Sequence, residues 1–214
     1  MPVTLKHPGT GAQLPTSITR AGFAQGLWVA LSLPDQAHKL PLVIHHAARG
    51  DFAPFLKMDV ATAPPRRRYY NAAHLSIVCP EEVQHIRPEE IEALHRGAFM
   101  PTERTYDYLR ACQLWQVAAT PVSALKPVRS DVPTLIVSGW MDPFTPPELG
   151  DRVASTLSNS RHVVVRHLSH ESNGLAGAEC LDELFLQFLA RPEPATLDTG
   201  CVASIQPPPF VVGR

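Results

Sequence analysis

The sequence predicts an α/β fold, and three features beyond Asp131 carry that prediction. Pro133–Ser138 and His162–Val165 are short, β-branched apolar runs of the kind that form parallel strands buried on both faces. Between them Thr145-Pro146-Pro147-Glu148 reads as a helix start, with Thr145 as N-cap, proline at the first position and glutamate at the third. After them Leu181, Leu184, Phe185, Phe188 and Leu189 share one face of an amphipathic helix. Strand, helix, strand, helix is the order of a parallel α/β unit.

The first 130 residues read mainly as helices with irregular connections. Phe23, Leu27, Ala30 and Leu31 fall on one helical face, with Thr16, Ser17 or Thr19 as candidate caps. A second helix is expected from about Asp35 to Ala48, ending at Gly50, with a kink at Pro41. Pro88-Glu89-Glu90-Ile91 suits a first helical turn, because its acids face the positive end of the dipole. Tyr106, Leu109 and Gln113 mark one more helix, and His74–Val78 is a candidate short strand running into Cys79. The expected organisation is a mainly helical region over 1–130, then a segment over 131–214 that ends in a proline-rich tail.

Two strands make a poor parallel sheet, because each needs neighbours on both sides and helices on both faces. The expectation is therefore an incomplete sheet whose earlier strands lie outside this sequence. Composition narrows the partners. With 214 residues, 44% hydrophobic, 18% charged and a formal net charge of −1, the chain offers no electrostatic case for nucleic acid or anionic membrane. Arg66-Arg67-Arg68, between Pro64-Pro65 and Tyr69-Tyr70, reads as a solvated loop. No run of about 18 apolar residues exists to span a bilayer. Residues Met1 to Pro8 lack the apolar core of a signal peptide.

In open α/β sheets chemistry gathers at the carboxyl ends of strands. Asp142 follows the first predicted strand and His170 the second, so neighbouring strand ends bring them within hydrogen-bond reach. Such a carboxylate holds an imidazole in one tautomer and stabilises its protonated form. Each residue also has a plainer reading. Asp142-Pro143 suits a turn before a helix, and His170 is one of ten histidines, with His162 and His167 close by.

The segment Val132-Pro-Thr-Leu-Ile-Val-Ser-Gly-Trp-Met-Asp142-Pro-Phe-Thr-Pro-Pro147 resembles the acid loop of the tripeptidyl-aminopeptidase-like, proline-iminopeptidase-related α/β-hydrolases. The resemblance continues through Leu157–Val165, His170, the helix from Cys180 to Leu189, Leu197–Cys201 and Pro207–Phe210. Upstream, Leu40-Pro41, Ala47–Phe52, Ser76–Glu82 and Cys112–Trp115 are similar to the family's cap. It implies a cap over 1–130 and the C-terminal part of a hydrolase fold over 131–214. It further implies Asp142 as triad acid, His170 as general base and a peptide as substrate, with Glu81 near the substrate's free amino terminus. Full-length members are secreted or periplasmic. Within the same frame Cys79 is expected to pair with Cys112, stapling the cap, and Cys180 with Cys201, pinning the tail; free buried thiols are the alternative.

Two departures stand out. Leu168-Ser169 precedes His170 where family members often carry glycine, and no Gly-x-Ser-x-Gly occurs anywhere. The nucleophile's strained elbow is therefore absent from this sequence, as is any glycine-rich oxyanion segment. The resemblance then implies the C-terminal portion of a serine aminopeptidase, inactive alone and completed by an N-terminal half. A non-catalytic remnant or binding module is the competing reading, and a related esterase a third. No cofactor and no metal are expected. Adjacent His45 and His46 would point apart, and His167-Leu-Ser-His170-Glu171, read on a strand, is not the zinc-protease helix motif.

Overall fold

The computed structural model describes residues 1–6, 13–58 and 71–213; the Arg66–Arg68 run lies outside them. Contacts divide the chain into two compact units, Met1–Gly26 with Thr62–Lys126, and Leu27–Ala61 with Pro127–Arg214. A stretch from the first 130 residues thus packs with the C-terminal segment.

The first unit opens with an antiparallel hairpin that the helical reading did not foresee. Strands β1 (Pro2–Lys6) and β2 (Gln13–Ser17) pair from Pro2 opposite Ser17 to Lys6 opposite Gln13. Helix α1 (Arg20–Leu31) contributes to both units. Of its expected caps, Thr19 serves, its hydroxyl accepting from the Gly22 amide at 2.9 Å. Ala24, Leu27 and Ala30 are buried along it, whereas Leu31 is exposed.

The second unit continues with two short helices where one long helix was expected. Helix α2 (Pro34–Ala37) stops before α3 (Leu40–Ala47), so the chain breaks ahead of Pro41 instead of bending at it. The reason is local: proline has no N–H to give, and its ring clashes with the carbonyl four residues back, but it fits the first turn of a new helix. Past α3 the backbone turns off at Gly50, whose φ of 81° suits glycine. One more turn, α4 (Ala53–Leu56), follows.

In the first unit the expected strand at His74–Val78 is helical, inside α5 (Asn71–Glu81). Its partners explain the override. Across from it lies α7 (Glu103–Leu114), tied by the Cys79–Cys112 disulfide and by a 2.9 Å hydrogen bond between His74 Nε2 and the Tyr108 hydroxyl. Just past α7, Trp115 Nε1 donates to Ser76 Oγ at 3.1 Å. These groups reach one another from helices, and Pro80 near the end of α5 forfeits a single ladder bond. Between them a 3₁₀ turn at Pro88–Glu90 leads into α6 (Ile91–Leu94).

The C-terminal segment forms the predicted α/β unit. Strands β3 (Thr134–Gly139) and β4 (Ser160–Val165) run parallel in register Thr134 to Ser160 through Gly139 to Val165, and α8 (Pro147–Ala154) links them. Side chains alternate across the sheet. Leu135, Val137, Val163 and Val165 face the core that Leu184, Leu181 and Phe188 of α9 (Glu179–Ala190) complete. The tail is fastened twice. A disulfide joins Cys180 to Cys201, and the Arg161 guanidinium donates to the carbonyls of Pro194 and Leu197 and to Thr199 Oγ1. Among the described residues no helix is long and apolar enough to cross a membrane.

Candidate active site

Two loops leave the carboxyl ends of β3 and β4 and are stitched together by their backbones. The Trp140 amide donates to the Val165 carbonyl and the Met141 amide to the Leu168 carbonyl. Gly139 begins the first loop because nothing larger fits there. A Cβ at that position would stand 2.3 Å from the Ser169 carbonyl oxygen and 2.5 Å from that of Leu168. The second loop is fixed by Ser169, which is buried and donates from Oγ to the carbonyls of Leu31 at 2.6 Å and Met141 at 3.2 Å. Ser169, the residue just before His170, therefore anchors the loop beneath it. Next along, the Glu171 amide donates to the Ser32 carbonyl, so α1's last turn backs the same loop.

This scaffold brings Asp142 and His170 together, with Nδ1 of the imidazole 3.0 Å from Oδ2 of the carboxylate. The plainer reading of Asp142 holds at the same time. Its Oδ1 accepts the amides of Phe144 at 2.7 Å and Thr145 at 3.1 Å, which is an aspartate turn leading into α8. One oxygen builds the turn while the other faces the imidazole. Oδ2 also accepts the Thr145 hydroxyl at 2.6 Å. The expected cap at Thr145 does not form: Pro146 takes the N-cap position and no side chain caps α8.

Burial alone would push the Asp142 carboxyl up. The hydroxyl of Thr145, the imidazole of His170 and the amides of Phe144 and Thr145 together outweigh it and hold the group below its ordinary value. The aspartate side chain is 5% exposed and the histidine 40%. The acid is thus sealed behind the base. Phe144 sets its ring against the imidazole at 4.9 Å in an edge-on arrangement, and its ring centre also lies 4.2 Å from that of Trp28. Among the described residues no hydrogen bond engages Nε2 of His170. Chemically the arrangement suits an imidazole that takes a proton at Nε2 while Asp142 stabilises the resulting cation.

A second imidazole–carboxylate pair, which the sequence reading passed over, lies on the sheet face toward α8. His162 Nδ1 is 2.8 Å from Asp151 Oδ1, and His162 Nε2 is 2.8 Å from Ser138 Oγ. No sequence signal links these positions, which come from β4, α8 and β3. Their connectivity is serine, histidine, aspartate, yet the imidazole is 8% exposed. Gly150 of α8 closes over the pair, since a Cβ there would lie 2.5 Å from Nε2 and 2.8 Å from Ser138 Oγ. No substrate carbonyl has room to reach that hydroxyl.

Glu81 is exposed at the end of α5, in the other unit. The segment from His167 to His170 is turn and loop, not strand. Among the described residues no three His, Cys, Asp or Glu side chains form a group that could hold a metal ion. Residues 99–201 match a family model described as TAP-like protein. No curated protein and no solved structure matches the chain.

Proposed function

Because residues 99–201 belong to the TAP-like family of α/β-hydrolases, we propose that Asp142 and His170 are the acid and base of a serine peptidase whose nucleophile is supplied from outside this sequence. One observation carries the reading: a sealed carboxylate holds Nδ1 of an imidazole whose Nε2 is left unengaged. Two serines near the strand ends are committed elsewhere. Ser169 donates to two carbonyls, and Ser138 is paired with His162 under Gly150. Among the described residues no serine hydroxyl bonds His170.

The external serine would come from a longer parent or from a separate N-terminal half that extends the sheet. Exposed apolar side chains on the helices beside the two strands favour that arrangement: Leu149 and Val153 on α8, and Phe185, Leu186 and Leu189 on α9. In the complete enzyme His170 takes the proton from the attacking hydroxyl and later returns it to the leaving amine, while Asp142 keeps its charge throughout. The substrate is a peptide cut near its amino end, and residues 1–130 are the cap region. There Glu81 would pair with the substrate's ammonium. Two disulfides suit an oxidising, secreted or periplasmic setting.

A fluorophosphonate probe tests the reading. The chain alone should not label, and the serine-bearing complete protein should, with labelling abolished by His170→Ala. Labelling of the isolated chain that depends on His170 would show that the nucleophile is present after all. An unlabelled complete protein would remove the hydrolase reading and leave a binding module.

A further inference from the structure

Thr145 has a residue type suited to capping α8, and it is spent elsewhere. Its hydroxyl donates to Asp142 Oδ2 at 2.6 Å, and the same oxygen lies 3.4 Å from His170 Nδ1. We propose that Thr145 is a positioning residue for the acid–base pair, its hydroxyl fixing Oδ2 against the imidazole and selecting the Nδ1–H tautomer. The proposal deepens the peptidase reading and rests on it.

The hydrogen-bond directions leave little choice. The carboxylate accepts only, so the Thr145 proton points at Oδ2 and the hydroxyl's lone pairs are what remain for Nδ1. A bare Nδ1 lone pair would then face the carboxylate at 3.0 Å. A proton on Nδ1 resolves the conflict by bonding Oδ2, with the Thr145 oxygen as a weaker second acceptor. Nε2 is then left as the ring's acceptor, as a general base requires. Oδ1 is meanwhile fixed by two amides, so Thr145 and His170 share the one oxygen still free to swing. Threonine's β-branch limits χ1, which keeps the hydroxyl aimed without a helix ladder to hold it.

The test uses the full chain and needs no turnover. Carboxyl ¹³C shifts follow the titration of Asp142, and ¹⁵N shifts of His170 report its tautomer, with His170→Gln used for assignment. Thr145 is exposed, so neither variant below burdens the core. Thr145→Val should raise the Asp142 midpoint by about one pH unit and mix the two tautomers. Thr145→Ser should keep both close to wild type. An unchanged midpoint and tautomer in Thr145→Val would overturn the proposal, as would a Thr145→Ser variant shifted as far as the valine. A normal Thr145 response in a complete protein that hydrolyses nothing would support the positioning role and sink the peptidase reading alone.

Discussion

Two imidazole–carboxylate pairs are built around one pair of strands, and they are inside out relative to each other. At Asp142–His170 the acid is sealed and the imidazole is open; at Asp151–His162 the acid is 72% exposed and the imidazole sealed. The hydrogen-bond distances are nearly the same, 3.0 and 2.8 Å. Distance therefore says little about role. What differs is which ring nitrogen is left over. His170 keeps Nε2 unengaged at the strand ends, whereas His162 spends Nε2 on Ser138 beneath a helix backbone. The first pair leaves one imidazole nitrogen without a hydrogen bond on a ring that is 40% exposed. The second is a polar rivet between α8 and the sheet.

The sharpest way to break the contrast is catalytic. In a complete, serine-bearing protein His170→Ala should cut kcat/KM by about a thousandfold or more, while His162→Ala should cost less than about tenfold. Equal losses, measured on a chromogenic peptide, would erase the distinction.

The next largest effects are on stability, read from urea unfolding. Gly139→Ala drives a Cβ into two backbone carbonyls and should cost about 3 kcal/mol. Gly150→Ala meets only the edge of His162 and Ser138. There alanine's better helix propensity returns about 1 kcal/mol, so a net loss of about 1 kcal/mol is expected. A stabilised Gly150→Ala would show that the helix does not close over His162.

The pH dependence is subtler. The folded Asp142 carboxyl lies below its ordinary value, so its charge contributes stability that is present above the unfolded value and lost as pH falls through the folded one. The advantage of wild type over Asp142→Asn should be constant near neutrality and shrink below about pH 5. An advantage that grows on acidification would reverse the sign and contradict the assigned hydrogen bonds. Smallest of all, Asp151→Asn should change stability by less than about 1 kcal/mol, because its carboxylate is largely solvated.

Much of the site was legible before any coordinates. Continuous β-branched runs mark β3 and β4, and residues just past such strands converge by the geometry of a parallel sheet, so Asp142 and His170 stand out as candidates, although a turn aspartate and a surface histidine fit the same pattern until the family resemblance selects them. The cysteine pairs follow the family resemblance. What escaped depended on partners far along the chain. His74–Val78 has strand-like residues, but its groups answer to Cys112, Tyr108 and Trp115 on and beside α7, and a helix presents them. Thr145 matched a capping motif, yet a buried carboxylate three residues back offered a charged acceptor in place of a backbone amide. Ser138, His162 and Asp151 follow no spacing rule, and only the fold assembles them. The hairpin of β1 and β2 had no alternating pattern strong enough to stand against a helical reading of the region.

The double fastening of the tail has a further consequence for how this chain behaves outside an oxidising compartment. Reductants open the Cys180–Cys201 link but leave the Arg161 guanidinium gripping the oxygens of Pro194, Leu197 and Thr199. Residues 194–199 should therefore resist proteolysis after reduction and yield only when Arg161→Ala is combined with it. Material made in a reducing cytosol would keep the tail seated against β4 through the Arg161 hydrogen bonds and the packing of Leu197 and Ile205 in the core.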